Sequence, residues 1–254
     1  MTDNINSTLD GKVAVVTGAA RNLGRSAAKG FASMGATVVL HYHCDSSKES
    51  ILSLAEEIAQ DNQQVSIIQA DLTQKEEVTK LFDFVEEKHG KIDILLNTAG
   101  TMLKVPLAKT SIYDYDSILN VHTKAVFLIF RQAATRLNKN GRIINISTSL
   151  TAVPRGPGYS VYGAAKAAAE QLAKFLAEEV AELGITVNTV SPGPIDNSFL
   201  RSVETEESLE FLKSLSVYNR LGNNEDITPM IEFLVSENAR WITGQNIRVN
   251  GGMI

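Results

Sequence analysis

Short apolar runs alternate with helix-length segments along this chain, and that alternation restricts the fold more than any other feature. The runs occupy residues 12–17, 36–42, 65–70, 92–97, 142–147, 186–190 and 246–249. The intervening segments are long enough for helices, residues 74–89 carry apolar side chains at helical spacing, and residues 111–137 are expected to form one long helical stretch. Strands joined by helices of this length pair in parallel, and strands that are apolar throughout are covered on both faces. The pattern predicts an α/β protein with a doubly wound, mostly parallel seven-stranded sheet and helices on both faces.

No shift in composition marks a second domain. We expect residues 11–254 to form a single domain, residues 1–10 to be a flexible arm, and residues 197–220 to cover the site as a lid. The alternative is a closed barrel of eight strand–helix units. Seven runs, with a glycine-bearing turn after the first, favour the open sheet of a Rossmann fold.

Charge and composition exclude several classes of function. The net charge of −5 opposes general affinity for nucleic acid or anionic membranes, and no 18-residue apolar stretch is long enough for a membrane span. A single cysteine, Cys44, cannot form an internal disulfide, and the first ten residues are not typical of a secretory signal. We therefore expect a cytoplasmic protein. His41 and His43 share one strand face, but no further ligand lies nearby in sequence, so we expect them near the adenosine end of a nucleotide and predict no metal site.

A turn that suits phosphate follows the first run. Residues 17–24 read TGAARNLG and lead directly into a helix, whose N-terminus attracts anions. Glycines allow the backbone to approach a pyrophosphate closely at this place in a nucleotide-binding sheet. The predicted cofactor contacts in the turn are Gly18, Arg21, Asn22, Leu23 and Gly24.

The same turn resembles the TGxxxGxG motif of the short-chain dehydrogenases/reductases. Asn22 stands where that family has its middle glycine, and asparagine tolerates left-handed backbone well. Residues 162–166, YGAAK, are similar to the family's YxxxK motif. Four-residue spacing places Tyr162 and Lys166 on one helix face, where we expect the ammonium to lower the pKa of the phenol. The resemblance implies that Tyr162 protonates a carbonyl oxygen, while Lys166 holds the ribose and tunes Tyr162.

Two further catalytic positions follow from the resemblance. The family places a hydroxyl at the end of the fifth strand to orient the substrate carbonyl, and here Thr148 and Ser149 lie fourteen and thirteen residues before Tyr162. Both remain candidates, with a small preference for Ser149. The family's catalytic asparagine falls on His122, which would keep the backbone carbonyl and add a titrating group, or would simply fill a helix interface.

The choice of cofactor follows from charge. A carboxylate at the end of the second strand usually binds the adenosine ribose of NAD, whereas this strand ends in residues 41–43, HYH. A 2′-phosphate needs a cation, and Arg21 supplies one, so the sequence favours NADP(H). By resemblance, Asp71 contacts the adenine amino group, although it also suits a helix cap. The other predicted cofactor-binding residues are Tyr42, Leu72, Asn97, Ala99, Gly100, Pro192, Gly193, Ile195 and Asn197, together with Tyr162 and Lys166.

We therefore expect an NADPH-dependent reductase of a ketone, such as a keto ester or 3-oxoacyl compound. The alternatives are an NAD-dependent dehydrogenase of a secondary alcohol and a catalytically weak NADP(H)-sensing protein. Glu204, Glu206, Glu207 and Glu210 are expected on the solvated side of the lid. The resemblance also implies a homo-oligomer, a dimer or tetramer, whose other partner is a small carbonyl substrate.

Overall fold

The computed structural model describes residues 9–61, 64–90 and 92–253. Within these residues, seven strands form one sheet: β1 Val13–Thr17, β2 Thr37–Tyr42, β3 Val65–Gln69, β4 Ile92–Asn97, β5 Leu137–Ile146, β6 Thr186–Pro192 and β7 Asn246–Val249. The α-helices are α1 Asn22–Ser33, α2 Lys48–Gln60, α3 Lys75–His89, α4 Ile112–Leu119, α5 Ala125–Arg136, α6 Ser160–Glu179, α7 Ser198–Arg201, α8 Glu206–Ser214 and α9 Asn224–Val235.

The sheet is parallel throughout, in the order β3-β2-β1-β4-β5-β6-β7. Alternate residues of each strand point to opposite faces, so each face is buried under its own layer of helices. The layer of α1, α2 and α9 includes Phe31 and Leu54, and the layer of α3, α5 and α6 includes Phe82 and Ile129. These observations confirm the predicted single-sheet Rossmann architecture.

The strand order reverses direction at β1, which pairs with β2 on one side and β4 on the other. The connections on the two sides of such a point leave in opposite directions and open a crevice at the carboxyl ends of the strands. That crevice is where the functional residues meet.

Two predicted boundaries differ from the structure. The segment expected as one helix over residues 111–137 is divided by a π-helical turn, Asn120–Lys124, and its last residue already belongs to β5. The expected arm also extends too far, because Leu9 is buried in the core and its backbone N–H donates to Met34 O at 2.6 Å. Residues 1–8 lie outside the described residues. Among the helices described, none combines the length and apolar character that crossing a membrane requires.

Candidate active site

A cavity follows the carboxyl ends of the strands, from the turn after β1 to the residues after β6. Most predicted site residues line it: Gly18, Arg21, Asn22, Leu23, Gly24, Tyr42, Ala99, Gly100, Thr148, Ser149, Tyr162, Lys166, Pro192, Gly193, Ile195 and Asn197. Four do not: Asp71, Leu72, Asn97 and His122. The lining residues come from distant parts of the chain, and the parallel sheet brings them to one edge.

The turn after β1 has the geometry that phosphate binding requires. Asn22 adopts the expected left-handed conformation, with φ of +51°. A side chain on Gly24 would place its Cβ 2.5 Å from Gly18 O, so the turn packs too closely for any other residue there. Helix α1 begins without a side-chain cap and without an acidic residue in its first turn, which leaves its N-terminal N–H groups and dipole available to an anion.

His41 stabilises this turn through a hydrogen bond to its backbone. The Gly18 N–H donates to His41 Nδ1 at 3.1 Å, so the ring proton resides on Nε2, which donates to Ala70 O at 2.9 Å. Burial lowers the pKa of His41 to about 4. A neutral histidine therefore connects the phosphate turn to the end of β3.

The charges that line the cavity are all positive. Arg21, Arg155 and Lys166 contribute to its wall, whereas none of the described lining residues is an aspartate or glutamate. The chain carries a net charge of −5, so its acidic residues are concentrated elsewhere. Such a cavity favours an anionic ligand.

Two predicted cofactor residues have structural partners instead. Asn97 lies between strands, where its Oδ1 accepts from Thr17 Oγ1 at 2.7 Å and its Nδ2 donates to Asn145 Oδ1 at 2.9 Å. Asp71 Oδ1 accepts from the backbone N–H of Thr73 at 2.9 Å, which stabilises the approach to α3. Asp71 does not cap α3 itself, because the helix begins after Gln74 and has no side-chain cap, so the expected helix cap is wrong and Asp71 stabilises only the turn before the helix.

Tyr162 and Lys166 lie on the buried face of α6, as their spacing predicts. Lys166 Nζ donates to Ile146 O at 2.7 Å and lies 6.0 Å from the centre of the Tyr162 ring. Burial lowers the pKa of Lys166 to about 8, against the opposing attraction of Glu170. The pKa of Tyr162, however, is raised by burial and not lowered, because loss of water around the phenol opposes its ionisation. Tyr162 is therefore a neutral phenol with a proton to donate.

The two candidate hydroxyls differ in what they bond. Ser149 Oγ donates its proton to Ser191 O at 3.2 Å and is buried. Thr148 Oγ1 instead accepts from the backbone N–H of Leu150 at 3.3 Å, which leaves its own proton for another acceptor. The hydrogen bonds thus favour Thr148 as the donor toward the cavity, against the small preference for Ser149 drawn from the sequence.

His122 lies in the π-helical turn, next to Tyr162, and does not line the cavity. Its Nε2 donates to Thr101 O at 2.7 Å, and its ring meets the Tyr162 ring edge-on, with centres 5.3 Å apart. Burial, together with the charge of Lys166, lowers the pKa of His122 to about 3. The expected titrating group is thus a neutral side chain at working pH, and its contacts are those of a residue that packs and orients.

The segment expected to act as a lid contains α7 and α8. Asn197 Oδ1 caps α7 by accepting from the N–H groups of Phe199 and Leu200, and Ser198 Oγ donates to Asn22 Oδ1 at 3.1 Å. The lid therefore begins in direct contact with the phosphate turn.

Glu204 holds the far end of the lid and was wrongly expected on its solvated side. Its side chain is 1% exposed, pairs with Lys104 and accepts a hydrogen bond from Tyr159. These partners lie 100 and 45 positions away in sequence, so no local pattern could have identified them. The lining residues that the sequence reasoning missed include Met102, Leu150, Arg155, Tyr159, Phe199 and Leu212.

Known proteins are similar to this chain in both sequence and architecture. The family model described as enoyl-(acyl carrier protein) reductase matches residues 18–254. A short-chain type dehydrogenase/reductase of Picea abies is 39% identical, over 97% of this chain and 93% of the relative. An NADPH-dependent aldehyde reductase-like protein, chloroplastic, of Arabidopsis thaliana is 36% identical, over 97% and 95%. The crystal structure of the angucycline C-6 ketoreductase LanV with bound NADP superposes with a TM-score of 0.90 at 35% identity, covering 97% of each chain.

Proposed function

The chain belongs to the short-chain dehydrogenase/reductase family, and from this premise we propose that it is an NADPH-dependent reductase that converts a ketone into a secondary alcohol. The observation that carries the proposal is the cavity at the reversal point of the sheet, which combines Tyr162 and Lys166 with a wall free of carboxylates among the described residues. The NADP-bound ketoreductase and the NADPH-dependent relative support the same cofactor.

The residues present fit a phosphorylated dinucleotide. The uncapped start of α1 and the close-packed turn at Gly24 suit a pyrophosphate, and Arg21 in that turn suits a 2′-phosphate. Among the described residues, no aspartate or glutamate lines the cavity at the end of β2, where NAD-specific sites place a carboxylate for the ribose diol. These features favour NADP(H) over NAD.

NADPH, when bound, supplies the hydride for the carbonyl carbon, and the protein supplies the proton for the oxygen. Tyr162 is suited to donate that proton because burial keeps its phenol neutral. Lys166 lies behind it, held by Ile146 O, where an ammonium favours the phenolate left after transfer. One hydride and one proton added to the ketone yield the secondary alcohol.

Thr148 is our candidate for the hydroxyl that orients the carbonyl. Its oxygen already accepts a bond from Leu150, so its proton is available to the substrate oxygen. Replacing Thr148 with valine should then reduce kcat/KM more than replacing Ser149 with alanine. Equal activity of both variants would contradict this assignment.

The lining beyond Tyr162 indicates the class of ketone. Met102, Leu150, Phe199, Leu200 and Leu212 form an apolar wall, with the guanidinium of Arg155 in the same cavity. Apolar walls with few polar groups are typical of sites that bind the hydrocarbon body of a substrate. We expect bulky, largely apolar ketones and keto esters to be reduced better than small polar ones.

The test is the oxidation of NADPH and of NADH followed by absorbance, with a panel of aliphatic, aromatic and ester ketones. Turnover should require NADPH, and Tyr162→Phe should lower kcat by about 100-fold or more, since general acids contribute on that scale. Tyr113→Phe is a matched control, because Tyr113 is exposed on α4. Preference for NADH, or full activity of Tyr162→Phe, would refute the proposal. Tight NADPH binding without turnover would support the cofactor-sensing alternative.

We further propose a second copy of this chain as its macromolecular partner. Helices α5 and α6 pack side by side and expose Phe127 and Phe175, which are 47% and 63% accessible. Large exposed aromatic side chains on neighbouring helices are typical of surfaces that become covered in assemblies. Light scattering should give a dimer or tetramer, and Phe127→Lys with Phe175→Lys should give a monomer. A monomeric parent would refute this proposal, and the cytoplasmic location stays a prediction.

A further inference from the structure

One buried carboxylate lies beside the catalytic residues without belonging to the cavity wall. Glu170 follows Lys166 by one helical turn on α6, as Lys166 follows Tyr162, so the three residues share the same face. It is 8% exposed. A buried carboxylate is costly unless hydrogen bonds and an opposite charge compensate it, so its partners show what it does.

The hydroxyl partners of Glu170 lie on both sides of the candidate catalytic hydroxyls. Ser147 Oγ donates to Glu170 Oε1 at 2.5 Å, and Thr151 Oγ1 lies 2.7 Å from the same oxygen. Thr148 and Ser149 lie between these two residues in the chain. The Thr151 hydroxyl also lies 2.9 Å from Thr148 O, so Glu170 reaches the backbone of Thr148 through one side chain.

A third contact connects Glu170 with β6. Ser191 Oγ lies 3.4 Å from Glu170 Oε1 but donates its proton to Asn246 Oδ1 at 2.6 Å, and the carbonyl oxygen of Ser191 accepts the proton of Ser149. Glu170 thus ties α6 to the segment after β5 by hydrogen bonds with Ser147 and Thr151, and it lies against Ser191 at the end of β6. Charge-assisted hydrogen bonds of this kind are stronger than neutral ones and fix geometry more tightly.

Lys166 lies one helical turn before Glu170 on the same face of α6, and Glu170 is the carboxylate whose charge acts on it. The titratable groups that face this lysine are Tyr162 and Glu170 on its own helix and His122 on the π-helical turn, while Tyr159 packs against Tyr162 from the loop before α6. His122 is neutral, so among these groups Glu170 supplies the negative charge. Its attraction raises the pKa of Lys166, against the lowering effect of burial.

From this arrangement we propose that Glu170 is a positioning residue for the reduction, which holds the Ser147–Thr151 segment in place and presents a negative charge to Lys166 from outside the cavity wall. The inference rests on the proposed function. Glu170 touches neither substrate nor cofactor in this scheme and acts through the residues that do.

Two substitutions separate the two effects. Glu170→Gln keeps the shape and an acceptor oxygen for the hydroxyls but removes the charge, whereas Glu170→Ala removes both. Glu178→Gln is the matched control, because Glu178 lies on the same helix and is exposed. Each protein is assayed for ketone reduction and for NADPH binding by fluorescence titration between pH 6 and 10.

We expect Glu170→Gln to move the alkaline limb of both profiles by at least half a pH unit toward acid, because Lys166 loses its proton more easily without the neighbouring charge. Glu170→Ala should in addition lower kcat about 10-fold or more, with Kd for NADPH at pH 7 changed by less than about 3-fold. Glu178→Gln should match the parent.

If the pH profiles of Glu170→Gln coincide with those of the parent protein, the inference is overturned, even if the Tm of the variant changes. The same holds if Glu170→Ala loses thermal stability while keeping its kcat, since Glu170 would then be purely structural. Failure of the proposed function looks different, because the parent itself would neither bind NADPH nor reduce a ketone, and this inference would fall with it.

Discussion

Moderate acid should weaken this fold through two buried neutral histidines, His41 and His122. Both rings use one nitrogen as a donor to a backbone carbonyl, and neither contacts a carboxylate that could compensate a second proton. Burial lowers their pKa values from an ordinary 6.5 to about 4 and about 3. In the unfolded chain both rings recover ordinary values and bind protons as the pH falls.

The sign follows from which state binds protons. Between pH 6.5 and about 4, the unfolded chain binds the proton and the folded chain does not, so the free energy of unfolding decreases as the pH decreases. Each ring contributes about 1.4 kcal/mol per pH unit well inside that window. From pH 7 to pH 5 the loss amounts to about 2 kcal/mol per ring, or about 4 kcal/mol for the pair. This is a large share of the roughly 5–15 kcal/mol that stabilises a typical domain.

The assay is urea unfolding followed by circular dichroism at pH 7, 6 and 5, at one protein concentration. The comparison is a double variant, His41→Asn with His122→Gln. Asparagine places an acceptor near the Nδ1 position that receives the Gly18 N–H, and glutamine places a donor near the Nε2 position that bonds Thr101 O. The other titratable groups, including His89, whose pKa burial also lowers, are common to both proteins.

The parent should lose about 4 kcal/mol more than the double variant between pH 7 and pH 5. Each single variant should remove about half of that difference. Equal losses in the parent and the double variant would refute the reasoning, because they would mean that the rings accept protons in the folded state at little cost.

Three further predictions concern the rim of the site. Arg21→Ala should lower kcat/KM for NADPH about 10- to 100-fold and leave that for NADH unchanged, since a hydrogen bond to a charged group contributes about 1.5–3 kcal/mol. Glu204→Gln should raise KM for the ketone several-fold, with Kd for NADPH unchanged, because Lys104 and Tyr159 then hold the lid less firmly. Asn22→Ala should lower Tm by about 3 °C relative to Asn22→Gly, because alanine pays about 1–2 kcal/mol for the left-handed backbone, and calorimetry checks it.

Matched controls distinguish these effects from general destabilisation. Arg240→Ala changes a surface arginine that does not line the cavity, and Glu207→Gln changes an exposed glutamate of α8. Equal loss with NADH and NADPH in Arg21→Ala would contradict its role at the 2′-phosphate. An unchanged KM in Glu204→Gln would show that the contacts of Glu204 with Lys104 and Tyr159 do not affect ketone binding. Equal Tm values for Asn22→Ala and Asn22→Gly would show that the left-handed backbone at position 22 does not strain alanine.

Local sequence patterns predicted the parts of this molecule that depend on local chemistry. The apolar runs identified the strands because both faces of the sheet are buried, and the turn at Asn22 adopted the backbone that its residue types favour. The π-helical turn at His122 escaped prediction, since a single extra residue per turn leaves the apolar spacing of residues 111–137 almost unchanged.

The sequence did not predict the effects of burial, or of charges on residues far apart in the chain, on the site residues. Tyr162 and Lys166 were identified, yet the direction of the Tyr162 pKa was wrong, because burial by the surrounding chain outweighs a lysine 6.0 Å from the ring centre. Glu204 looked like one of four solvated lid glutamates, and only the folded chain brings Lys104 and Tyr159 to it. Spacing in sequence reports which residues share a helix face, but not how much water remains around them.

Two buried glutamates, Glu170 and Glu204, interact with lysines near the cavity without lining it. Glu170 lies behind Lys166, and Glu204 lies behind the lid with Lys104, while the described wall of the cavity carries arginine and lysine alone among charged groups. A carboxylate in the wall would repel a phosphate at a few ångströms, whereas one behind a lysine stabilises that lysine's charge and is shielded by it. The overall charge of −5 therefore says little about what the cavity binds. The local order of charges, cations toward the cavity and anions behind them, is what favours an anionic cofactor in an acidic protein.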